Sequence, residues 1–285
     1  MKKSLFLLPL LALATLSGCG SSDPKTITIA ASELPHAKIL NECIAPLVAK
    51  DGYTLKVTTL DWTLQNDVVA HDEYDANYFQ HVPYLKLYEG TTKLYAACKV
   101  HYEKLCLYAK DTSKKTLFNG AKIELVNDIS NIERALQLLV ANNVLTINAS
   151  NYEGTEFKNF DTTNPNSCVT FLDAYKDCKL TCLKENSLGP SLQDYDFGII
   201  PGNTALTYLG SDYASRISLS ESPTPETISA KANIICVKEA NKDTEKTKEL
   251  VKACADASVG EYITKTFGDS VIYHYENGLL TNFLA

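Results

Sequence analysis

Apolar and polar positions alternate over Thr26-Ile27-Thr28-Ile29-Ala30 and again over Leu55-Lys56-Val57-Thr58-Thr59-Leu60, the two-residue period of strands. Between them, Ile39, Leu40, Cys43, Ile44 and Leu47 recur at helical spacing within Leu34 to Lys50. Strand, helix and strand in about thirty residues make the right-handed crossover unit of a parallel sheet. The pattern goes on to predict a short helix over Gln65 to Ala70 and an alternating strand from Lys99 to Lys110. A strand follows over Ala121 to Val126, then a helix from Asn131 to Asn142. Ser130 and Glu133 have the S-x-x-E spacing of a capping box, which places the start of that helix. Asp196 to Ile200 reads as a buried strand running into Pro201-Gly202-Asn203 and a helix over Thr204 to Leu209. The last elements are a strand over Lys231 to Val237 and helices over Thr244 to Asp256 and Glu261 to Phe267. The fold class is therefore α/β, and a chain of 285 residues is long enough for two lobes.

In open sheets of this kind ligands sit beyond the carboxyl ends of strands. Asp61-Trp62 falls at such an end, as does the segment after Tyr74. There the run Asp75-Ala76-Asn77-Tyr78-Phe79-Gln80-His81-Val82-Pro83-Tyr84-Leu85 has neither period and reads as a loop that presents side chains. Its rings and amides suit the wall of a ligand pocket, or equally an aromatic-rich core turn. Arg134, one turn inside its helix, could fork onto an anion at the helix start or pair on the surface with Glu133. Asn203 could hold an ammonium or carboxylate, or cap its own helix.

The N-terminus changes the picture of where the protein works. Lys2-Lys3, the apolar run Leu5 to Leu16 and then Leu16-Ser17-Gly18-Cys19 form a signal peptide ending in a lipobox. By resemblance to bacterial lipoproteins, residues 1–18 would be removed and Cys19 would carry a diacylglycerol thioether and become the mature N-terminus. Two acyl chains anchor stably where one is marginal. Residues 19–25 are small, polar and breaker-rich, the composition of a flexible tether. A net charge of −7 and no dense Lys/Arg block after the N-terminus exclude nucleic acid as a partner. The remaining cysteines, Cys43, Cys98, Cys106, Cys168, Cys178, Cys182, Cys236 and Cys254, are irregularly spaced. They read better as buried small hydrophobes than as a disulfide framework, and no metal site is expected. No nucleophile motif, zinc-protease motif or phosphate loop occurs, so neither an enzyme nor a cofactor is expected.

An ordered series of stretches gives these readings a direction. Leu34-Pro35-His36-Ala37-Lys38-Ile39-Leu40, Asp61-Trp62, Asp75 to Leu85, Val100-His101, Val126-Asn127-Asp128, Asn131 with Glu133-Arg134-Ala135-Leu136, and Ile200-Pro201-Gly202-Asn203 together resemble the NLPA lipoprotein family. These are the methionine-binding receptor subunits of bacterial ABC importers. The resemblance implies a two-lobed, type II periplasmic-binding-protein-like fold with a mixed sheet in each lobe and the ligand cleft between them. Lobe 1 would comprise residues 26–107 and 233–285, and lobe 2 residues 108–232. It implies that Trp62, Tyr78, Phe79 and His81 wall a thioether side chain, that Arg134 and the nearby helix start bind the α-carboxylate, and that Asn131, Asn203 and His101 complete the polar shell. The implied partners are methionine, an ABC permease with its ATPase, and a membrane reached through the lipid anchor on the extracytoplasmic face. Lys104 and Cys106 stand where the family usually has proline and glycine, and Trp62 and Gln65 replace a commoner tyrosine and proline near the side-chain pocket. A different amino acid or a methionine-containing dipeptide is the alternative ligand. A surface lipoprotein that binds a protein partner is the alternative from another class.

Overall fold

The computed structural model describes residues 23–277. The signal peptide and Cys19 lie outside the described residues. Thr26–Ala31 pairs in parallel with Thr54–Thr59 on one side and with Ala76–His81 on the other. The connection between the first two coils through wide turns at Glu33–Ala37 and Leu40–Ile44 before the regular helix Ala45–Lys50. It buries Ile39, Leu40, Ile44 and Val48 against the sheet. Asn233–Lys238 returns from far along the chain to pair antiparallel with both Ala76–His81 and Leu94–Glu103. Val271–Asn277 closes the edge of this six-stranded mixed sheet.

A second, five-stranded mixed sheet is ordered Lys179–Leu183, Lys122–Val126, Phe197–Ile200, Cys106–Ala109, Ile217–Ser220. Each sheet has its own buried core: Ile29, Tyr78, Val100, Ile235 and Ile263 in one, and Leu107, Ile123, Leu136, Leu139 and Phe197 in the other. The chain crosses from the first sheet to the second at Lys104-Leu105 and returns between Ser220 and Asn233. This is the two-lobed α/β architecture that the sequence implies.

Four local expectations change. The ring-rich run is no loop, because Ala76–His81 is a central strand with all six residues buried, followed by the short helix Val82–Leu85. A strand covered on both faces shows no alternation, which is why the pattern hid it. Its polar members are satisfied in place: Asn77 Nδ2 and Gln80 Nε2 both donate to Asn66 Oδ1, at 3.0 and 2.6 Å. The expected strand Lys99 to Lys110 breaks at Lys104-Leu105, and its two parts belong to different sheets. The strands Lys179–Leu183, Ile217–Ser220 and Val271–Asn277 stand where the sequence pattern predicts none.

The fourth change concerns the helix that carries Arg134. It spans Ile129–Ala141 and is capped by Asp128, whose Oδ1 accepts from the Asn131 N–H at 3.0 Å. Ser130, expected to be the cap, donates its own hydroxyl to the same Oδ1 at 2.7 Å, and Glu133 accepts from Gln137 at 3.3 Å. A carboxylate is the stronger acceptor for an N-terminal N–H, so Asp128 wins the position. Asp128→Ala should therefore lower stability by about 0.5–2 kcal/mol. Urea denaturation should show Ser130→Ala to be much milder.

All eight cysteines within the described residues are free thiols, and seven of them are buried, Cys182 being the partly exposed one. Among the described residues no helix is long and apolar enough to cross a membrane.

Candidate functional site: a cleft between the lobes

Rings from the first lobe form one wall. Asp61 caps the turn Trp62–Leu64 by accepting from the Thr63 N–H at 2.9 Å, which fixes the backbone that carries Trp62. The Trp62 and Phe79 rings both meet Tyr84 edge-on, at centroid distances of 5.2 and 5.8 Å, a favoured aromatic geometry. Gln65, expected beside the pocket, is fully buried behind this wall and donates to the Leu60 carbonyl at 3.0 Å. His81 caps the helix Val82–Leu85 by accepting the Tyr84 N–H on Nδ1 at 3.1 Å, so the ring proton belongs on Nε2. Burial, and then the nearby Arg134, lower the His81 pKa and keep the ring neutral. Its Nε2 reaches across the cleft to Asn131 Oδ1 at 3.2 Å.

The facing wall comes from the second lobe. Asn131 is oriented from behind, because its Nδ2 donates to Asp128 Oδ2 at 3.1 Å. Arg134 borders the same cleft as Trp62, Phe79, His81, Asn131 and Asn203. Its guanidinium does not pair with Glu133. It forks onto Glu221 instead, Nε to Oε1 and Nη2 to Oε2 both at 2.6 Å, and Nη2 also donates to the Glu103 carbonyl. Glu221 further accepts from the Tyr102 hydroxyl at 2.5 Å and the Leu105 N–H at 2.9 Å. Burial pushes the Glu221 carboxyl up, but Arg134 outweighs it and holds the group below its ordinary value. Arg134 is thus a clamp on the crossover between the sheets as well as a residue of the cleft.

Asn203 sits in the first turn of the helix Gly202–Tyr208 without capping it. Its Nδ2 donates to Glu185 Oε1 at 3.1 Å, and the Thr204 hydroxyl donates to the same atom at 2.7 Å. Burial pushes the Glu185 carboxyl up to about 7 against these two bonds.

Tyr78, expected on the wall, and His101, expected in the polar shell, both stand behind the cleft surface. Tyr78 and His101 are fully buried, and the Tyr78 hydroxyl meets His101 Nδ1. Burial lowers the His101 pKa to about 3 and that of His36 to about 4, so both rings are neutral. His101 Nε2–H then donates to Glu103 Oε1 at 2.7 Å, and His36 Nε2–H to Asn233 Oδ1 at 3.0 Å. The correction is physical: Tyr78 points into the core from a central strand, and its hydroxyl and His101 steer Glu103, which does line the cleft. His36, His101 and Glu103 stand close enough to hold a metal ion. Here His101 and Glu103 bond each other and His36 bonds Asn233.

Besides the expected residues, the cleft is lined by Tyr84, Glu103, Glu185 and Asn233. Tyr84 lay within the ring-rich run. Glu185 and Asn233 stand in stretches with no motif, and only the fold brings them here.

The model of the NlpA lipoprotein family matches residues 27–274. The methionine-binding lipoprotein MetQ of Bacillus subtilis is 32% identical over 289 residues, covering 95% of this chain and 98% of that one. The D-methionine-binding lipoprotein MetQ of Escherichia coli is 29% identical over 276 residues, covering 92% and 94%. A nutrient-binding protein from Burkholderia cenocepacia, whose structure was solved bound to methionine, superposes with a TM-score of 0.74 at 26% identity, covering 87% of this chain and 99% of that one.

Proposed function

The chain belongs to the NlpA lipoprotein family, and on that premise we propose that it is the receptor of a bacterial ABC importer, anchored through Cys19 on the extracytoplasmic face of the membrane. It closes on methionine and delivers it to the permease. The observation that carries this reading is the pairing of walls in the cleft: Trp62, Phe79 and Tyr84 on one side, Arg134, Asn131 and Asn203 on the other. A thioether packs well against rings, and a carboxylate suits a guanidinium beside amides. A ligand that touches both lobes favours their closed arrangement, which is the signal a permease can read. Tyr78 and His101 act by orienting the polar groups and do not touch the ligand.

Thermal melting with L-methionine, D-methionine and a panel of other amino acids tests the proposal. The melting temperature should rise with methionine concentration, as it does for any ligand that binds only the folded state. Among the amino acids tested, the largest rise should come with one of the two methionine enantiomers. A panel without any concentration-dependent rise would refute the reading.

A further inference from the structure

The cleft described so far has a partner for a carboxylate and rings for a thioether, but a free amino acid also brings a positive charge. Most acceptors that face the space are already engaged. Asn131 Oδ1 takes the His81 proton at 3.2 Å and Asn233 Oδ1 takes the His36 proton at 3.0 Å. Glu103 is held by His101 at 2.7 Å and by the backbone N–H of Asn203. The Arg134 charge is offset by Glu221 outside the cleft.

Glu185 differs from all of these. It begins the short turn Glu185–Ser187 that follows the strand Lys179–Leu183, so it stands on the same lobe as Arg134 and Asn203. Its Oε1 is fixed by Asn203 and Thr204, while Oε2 takes neither of those bonds. Its hydrogen-bond partners are an amide and a hydroxyl, neither of them cationic, and Asp128 and Glu103 add further negative potential. The residue also borders the outer mouth of the cleft, where Glu33 and Asp61 contribute two more acids. A pre-oriented carboxyl without a cationic partner, beside a guanidinium already paired with Glu221, leaves the cleft with uncompensated acid and no cation to match it. A desolvated carboxylate in that condition is unfavourable until a cation reaches it.

We infer that Glu185 is the residue that binds the ligand's α-ammonium, so that the second lobe grips both charged ends of the amino acid and the first lobe supplies the rings for its tail. The assignment rests on the amino-acid-receptor reading above and adds to it a specificity residue for the amino group. It also implies a selectivity: acids that lack the amino group are poor ligands even when the thioether tail is intact.

The test is isothermal titration of the purified full-length chain with methionine and with its desamino analogue, the same thioether acid bearing hydrogen in place of the amino group. Wild type should prefer methionine. Glu185→Gln should lower methionine affinity about 10- to 100-fold, the range for a charge-assisted hydrogen bond, and leave the analogue within about threefold. The preference should thereby collapse. Equal losses for both ligands, or an unchanged preference, overturn the assignment while the receptor reading stands. A wild-type chain that binds neither ligand removes both. Should Glu185→Gln fail to fold, Glu185→Asp keeps the charge but withdraws it by one methylene. It should weaken the preference, and an unaltered one would again overturn the proposal.

Discussion

Arg134→Ala should destabilise the protein by about 3–5 kcal/mol, because it leaves Glu221 charged and buried without its cation. Arg134 is 5% exposed, and it binds both Glu221 and the carbonyl of Glu103, tying together the outgoing and returning strands of the crossover. Guanidinium chloride unfolding would show the loss directly. The same substitution should weaken methionine binding by about 1.5–3 kcal/mol when the guanidinium serves the carboxylate, and the two effects can be separated. In the double variant Arg134→Ala/Glu221→Ala the stranded charge is gone, so part of the stability should return while affinity stays low. Recovery of both together would mean that Arg134 acts on the ligand only by holding the crossover in place.

Gly202→Ala should be the second large perturbation, for a different reason. A Cβ at this position would come within 2.9 Å of Glu103 Oε2 and 3.0 Å of Glu103 Cβ. Something must shift, and overpacking of this kind costs about 1–3 kcal/mol. Glu103 cannot retreat easily, because His101 holds its carboxylate from behind and Tyr78 holds His101. The strain should therefore pass to the cleft, and methionine titration should show a loss of affinity in a protein that still melts cooperatively. Wild-type affinity in a destabilised Gly202→Ala protein would show that the Glu103 carboxylate can move without consequence for the ligand.

How far the sequence reached is itself explained by the fold. The strands Thr26–Ala31 and Thr54–Thr59 and the amphipathic helices each have distinguishable faces, so periodicity marks them. Ala76–His81 has none, being buried on both sides, so its sequence carries no period that sets a central strand apart from a loop. The position of Tyr78 follows from this: on a loop its ring would face a ligand, whereas on that strand it reaches His101 inside the core. Arg134, Asn131, Asn203, Trp62, Phe79 and His81 share the cleft and each stands in a short motif that the sequence displays. Asn233 and Glu185 had no such marker. Asn233 meets His36 across 197 residues of chain and Glu185 meets Asn203 across 18, and pairings like these exist only once the sheets have formed. Arg134 shows the limit most clearly, since Glu221, the partner that matters to it, lies 87 residues away.

The free thiols have a consequence for how the body holds together. None of the eight within the described residues is joined to another, so cohesion here comes from packing and hydrogen bonds and owes nothing to an oxidant. Burial also raises the Cys236 pKa above its ordinary range and the Cys106 pKa in the same direction, which keeps both sulfurs as inert thiols. Cys106 opens the first strand of the second sheet and donates to Ser220 on the returning strand at 3.4 Å. Its sulfur packs beside Tyr108, Val126 and Ile200, so an alkylating reagent reaches it when that strand pair of the second sheet parts, and slow labelling at this position reports the cohesion of the second lobe.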